Sequence, residues 1–189
     1  MGGLSKRLLR NKINLRNKKA DPLTDWDGFF EELQNESPRA AVIIASAFLD
    51  AQLRAILANS FIDDKKTVEE LLDSDLSTFS SRTKTAYCMG LISESMFHDL
   101  NIIRKIRNKF AHKMHGYSFD EPEIVDWCNS LKLAKMISDV SSMPKSHGNL
   151  FILGVTQLAM WLGMKIVETE KSKKSAPKNP ELAQVVKVE

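Results

Sequence analysis

The 189 residues carry 43% hydrophobic and 27% charged side chains, near globular averages, which predicts one folded domain and leaves little room for a second. Two cysteines, Cys88 and Cys128, make no disulfide framework; each sits among apolar neighbours, where a thiol packs as a small hydrophobe, so a reducing, cytoplasmic setting is expected. The basic start leads into no apolar signal region, and the uncharged run 149–164 is 16 residues, short of the roughly 20 that a membrane span needs.

The net charge of +3 is unevenly placed. Residues 1–22 read as a basic arm, with Lys6, Arg7, Arg10, Lys12, Arg16, Lys18 and Lys19 giving +7 over the first 20 residues, against −4 for the rest. Such an arm contacts nucleic acid or an acidic partner through counterion release, or is simply a solubilising terminus; a transit peptide is a weaker third reading. Residues 23–170 read as the folded domain and 171–189 as a flexible, Lys-rich tail.

Helical signals dominate from Thr24 onward. Thr24 or Asp25 caps a first helix to about Gln34, and Ser37-Pro38 gives an N-cap with proline at the first helical position. The helix that follows, to about Asn59, is apolar nearly all round from Ala40 to Leu49, which predicts a place in the middle of a bundle. Thr67 to Glu70 reads as a capping box opening a short helix to Leu72. Ser77 or Thr78 begins the next, ending at Gly90, and Ser93 caps a long one through Arg107. Pro122 to Ser138 and a last helix opened by Ser146, running to about Thr169, complete a single all-α bundle of about six to seven helices.

Three charges fall on apolar stripes: Arg107 between Ile103 and Phe110, Arg82 between Phe79 and Ala86, and Asp50 after Ile43 and Ala47. An unpaired buried charge costs several kcal/mol, so Asp50 is expected to pair across the bundle with Arg82, Arg107 or both; the alternative is a local Asp50–Arg54 surface pair. Dinucleotide, nucleotide-triphosphate and zinc signatures are all missing, no cofactor is implied, and His112 with His115 makes a poor metal pair.

Arg107-Asn108-Lys109-Phe110-Ala111-His112 groups a guanidinium for a phosphate, an amide to orient it, and an imidazole to move a proton. Arg107, Asn108 and His112 are thus candidate catalytic residues for metal-independent RNA cleavage. The structural alternative has Arg107 neutralising Asp50 and His112 stabilising the helix C-terminus.

The run from Asp99 to His112, together with Ala47-Phe48-Leu49-Asp50, Thr78 to Arg82 and Ala86 to Ile92, resembles the mannitol operon repressor family over about residues 26–168. The resemblance implies an all-helical regulator that represses through protein partners, with no recognisable helix-turn-helix. The Arg-Asn-x-Phe-Ala-His stretch also looks like the signature of HEPN helical domains, many of which are dimeric ribonucleases. Two functions of different class follow: a partner-binding repressor, or a HEPN-type ribonuclease with Arg107 on the phosphate and His112 as acid/base. A nucleotide-binding module using Arg107 and Lys109 is a third. The apolar last helix, with Gly154, Ala159 and Gly163 permitting close approach, predicts a homodimer built on that helix or on the Arg107–His112 region.

Overall fold

Six helices begin where a short polar side chain accepts from a free backbone N–H group, and the one at Pro122 begins without such a cap. In the computed structural model, which describes residues 21–113, 116–136 and 146–177, seven α-helices follow one another. They are α1 (Trp26–Asn35), α2 (Pro38–Ser60), α3 (Lys65–Asp73), α4 (Phe79–Cys88), α5 (Glu94–His112), α6 (Pro122–Ser130) and α7 (His147–Glu170). Short 3-10 turns lie at Pro22–Thr24 and Leu133–Met136. No β-strand occurs among the described residues. The basic arm, Lys6 to Lys19, lies outside them, as does His115.

The caps at Asp25, Ser37, Thr78, Ser93 and Ser146 fall where the sequence places them. The box expected at Thr67 does not form; α3 starts earlier, because the Asp64 carboxylate accepts from both the Thr67 N–H and its hydroxyl. α4 ends at Gly90, whose φ of +68° only glycine adopts without strain. There the Leu91 N–H reaches the Ala86 carbonyl and the Gly90 N–H reaches that of Tyr87, the double bond of a Schellman turn.

α2 is the axis of the bundle: it packs most extensively on α7, and α5, α4, α1 and α3 surround the rest of it. Leu49, Leu53, Ile56 and Leu57 are fully buried in one core with Leu100, Ile103, Ile106, Phe151, Leu158 and Leu162. α2 and α7 are both long and apolar enough to cross a membrane, yet about half of each apolar window is covered by the rest of the chain. The buried Gln52 amide ties them together, donating to the Ala159 carbonyl at 2.9 Å and to Leu23 at 2.8 Å.

α6 is shorter than the helix to Ser138 that the sequence predicts. The chain turns extended at Leu131, and the fully buried Asp99 of α5 accepts from the Lys132 and Leu133 N–H groups at 2.9 and 2.8 Å. A carboxylate from a distant helix thus caps the 3-10 turn and ends α6.

The small residues of α7 serve the chain itself. A side chain at Gly163 would lie 2.6 Å from the Trp26 indole nitrogen, one at Gly154 would lie 3.0 Å from Leu131, and Ala159 is fully buried. The exposed apolar residues of α7 are instead Trp161, Met164 and Val167. Cys128 is buried, which pushes its thiol up to about 12. Cys88, expected in the core, is exposed, because α4 turns Arg82, Thr83 and Ala86 inward. After α7 the tail does not leave at once: the Asp63 N–H donates to the Lys174 carbonyl at 2.8 Å.

Candidate functional site

The C-terminal half of α5 separates two concave surfaces. On one side lies a cavity of about 440 Å³ walled by Ile43, Ala47 and Asp50 of α2, by Ser77 to Phe79 at the start of α4, and by Arg104 and Arg107. On the other is a groove of about 420 Å³ formed by Lys105, Asn108, Lys109, His112, Lys113 and Trp127.

Asp50 and Arg82 pair across the bundle. The Arg82 guanidinium, 9% exposed at the side chain, meets Asp50 Oδ2 at 2.7 Å and donates to the Leu72 carbonyl at 3.1 Å. Arg54 takes no part; it bonds Glu69 and Asp73, which hold its guanidinium pKa above the ordinary value, hydrogen bonding to Asp73 contributing most. Arg107 corrects the expectation of a buried network of three: it is exposed. The buried stripe of α5 runs through Asp99, Ile102, Ile103, Ile106 and Phe110, and Arg107, one residue past Ile106, sits at its edge. Its guanidinium opens on the cavity that Asp50 lines, with a hydrogen bond from Nη1 to Asn108 Oδ1 at 3.2 Å.

Asn108 and His112 share the groove, whereas Arg107 faces the cavity, so the three are linked by the Arg107–Asn108 bond and do not converge on one point. His112 is the exposed last residue of α5. The groove is basic and aromatic: Lys105 Nζ lies 5.9 Å from the Trp127 ring centre. Lys109 meets Glu123 at 2.7 Å, and that hydrogen bond raises its pKa. The end of α5 is moored by Arg39, whose guanidinium donates to the Lys113 carbonyl.

Sequence reasoning missed Arg104, Trp127 and Asp99. Arg104 was open to discovery, since a spacing of three from Arg107 puts both on one helical face. Trp127 was not, because only the α5–α6 crossing brings it beside Lys105.

Comparison with known proteins gives these observations a family. No curated protein matches the chain. A chain of the X-ray structure of the MtlR–HPr complex from Escherichia coli shares the fold, with a TM-score of 0.54 at 18% identity over 77% of this chain and 98% of that one. The family described as mannitol repressor matches residues 26–171, nearly the whole helical domain. The chain therefore belongs to the mannitol repressor family.

Proposed function

We propose that this protein is a cytoplasmic regulator of the mannitol repressor type, acting by holding a protein partner and not by placing a helix in DNA. The observation that carries the reading is the family match across residues 26–171, supported by a relative of the same fold captured with HPr. α5, the helix after the Gly90 turn, carries no Lys or Arg before Arg104, so its N-terminal half lacks the basic side chains of a recognition helix. The groove beside Trp127 is the surface we assign to the partner. A half-buried aromatic flanked by lysine stems offers apolar contact inside a positive rim. In this scheme the arm, Lys6 to Lys19, adds a salt-sensitive contact with nucleic acid, and the exposed Trp161, Met164 and Val167 of α7 join two copies as a homodimer.

Titrating the protein with HPr by calorimetry tests the reading. Binding that weakens at least tenfold in Trp127→Ala and Lys105→Glu is expected. No heat with HPr would remove the HPr assignment, and binding indifferent to both substitutions would remove the groove.

A second reading rests on one observation, that Asn108 bridges Arg107 to the groove holding His112. It makes the protein a ribonuclease of the HEPN type. Incubation with mixed RNA in EDTA separates the two: cleavage by the native chain and none by His112→Ala would favour the nuclease.

A further inference from the structure

Five arginines lie among the described residues, and three are already engaged. Arg39 donates to the Lys113 carbonyl, Arg54 to Glu69 and Asp73, and Arg82 to Asp50 and the Leu72 carbonyl. Arg104 and Arg107, which meet no carboxylate among the described residues and of which Arg107 bonds only the Asn108 amide oxygen, face the same cavity of about 440 Å³. We propose that this cavity binds a small phosphorylated molecule whose uncharged part carries a hydroxyl group.

The charge arrangement asks for an anion. Arg104 and Arg107 stand three residues apart on one helix, where like charges repel, and nothing on α2 or α4 neutralises them. Asp50, the acid on the cavity wall, is committed to Arg82 through Oδ2. Its charge is cancelled there, leaving the two facing guanidinium groups uncompensated. Forked N–H donors suit a phosphate, which accepts several hydrogen bonds at once. Arg104 Nε is buried without a partner, so one such donor stands unused. Ser77 and Thr78, the residues leading into α4, line the same cavity with Phe79 and bring the positive end of that helix dipole to it.

The second half of the ligand follows from Asp50. Its Oδ1 is buried and accepts no hydrogen bond, an arrangement that leaves an acceptor stranded unless a donor arrives. A fully ionised phosphate has no proton to donate to that oxygen, whereas a hydroxyl satisfies it. The volume falls within the range of small-molecule sites and exceeds what a bare phosphate fills. The inference stands apart from the partner assignment, which uses the opposite side of α5.

Thermal denaturation of the full chain with glycerol 3-phosphate, inorganic phosphate or glycerol, at fixed ionic strength, tests it. At roughly 10 mM, a ligand of millimolar Kd raises Tm by about 3–6 °C. Glycerol 3-phosphate should give such a rise, inorganic phosphate a smaller one, and glycerol none. Arg107→Gln, at an exposed position, should remove most of the rise, and Arg104→Gln likewise. Asp50→Asn should bring glycerol 3-phosphate down to the level of inorganic phosphate. No rise with glycerol 3-phosphate, or one undiminished in Arg107→Gln, would overturn the proposal.

Discussion

Removing the Asp99 carboxylate should cost the fold more than any other single polar change. Asp99 is fully buried and its two oxygens accept the Lys132 and Leu133 N–H groups at 2.9 and 2.8 Å, with His98 Nδ1 at 2.9 Å as a further partner. Hydrogen bonds to a charged acceptor contribute about 1.5–3 kcal/mol each, and burial removes the screening that would weaken them. Asp99→Ala strands both N–H groups, and partial relaxation of the 3-10 turn recovers some of the loss. The expected destabilisation is about 3–5 kcal/mol, or a Tm lower by roughly 10 °C for a chain of this size. Asp99→Asn keeps one acceptor but turns an amide N–H₂ towards a backbone donor, so about 2–3 kcal/mol is expected. Urea denaturation measures both, as a fall in midpoint at unchanged slope. A loss under about 1 kcal/mol for Asp99→Ala would refute the view that this carboxylate holds the α6–α7 segment onto α5.

The Arg82–Asp50 pair can be tested by a double-mutant cycle with Arg82→Met and Asp50→Asn. The expected coupling is about 1–3 kcal/mol, reduced from a fully buried pair because 29% of the Asp50 side chain is exposed, and additivity within about 0.5 kcal/mol would count against the pair. Gly163→Ala should destabilise despite a gain of about 1 kcal/mol in helix propensity, since the new methyl meets the Trp26 indole at 2.6 Å; a stability at or above that of the native chain in chemical denaturation would show that Trp26 yields freely. Bonds from the Thr67 N–H and hydroxyl hold the Asp64 carboxyl below its usual value of 3.8, so its contribution is complete above that pH and fades as pH falls through the lower folded value. The stability gap between native chain and Asp64→Ala should therefore be constant near neutrality and close under acid; a gap that widened under acid would contradict the cap.

Much of the architecture was legible because its causes are local. Ser37-Pro38, Thr78, Ser93 and Ser146 each cap a helix through an oxygen three residues from the N–H it receives, and such spacings stand in the chain itself. Arg82 and Asp50 were legible together, since each interrupts an apolar stripe and a charge there requires an opposite one. What escaped was set at a distance. The end of α6 depends on Asp99, more than 30 residues away in the chain. Arg107 follows Ile103 by four residues, as a stripe member should, but the stripe centres on Ile106 and Phe110 and leaves it outside. The division of Arg107 from Asn108 and His112 into two concavities depends on where α2, α4 and α6 cross α5, which no periodicity within α5 encodes.

The pairing of α2 with α7 also orders events in time. Gln52 finds the Ala159 carbonyl 107 residues later, so the central helix lacks its main partner until nearly the whole domain has been made. At about 5–20 residues per second, α2 waits on the order of 5–20 s, and its uncovered flank is as apolar as a membrane span. Closure is therefore a late, long-range step, and slow as such steps are. A nascent chain arrested before α7 presents to chaperones, or to other arrested chains, the stripe that the finished protein hides.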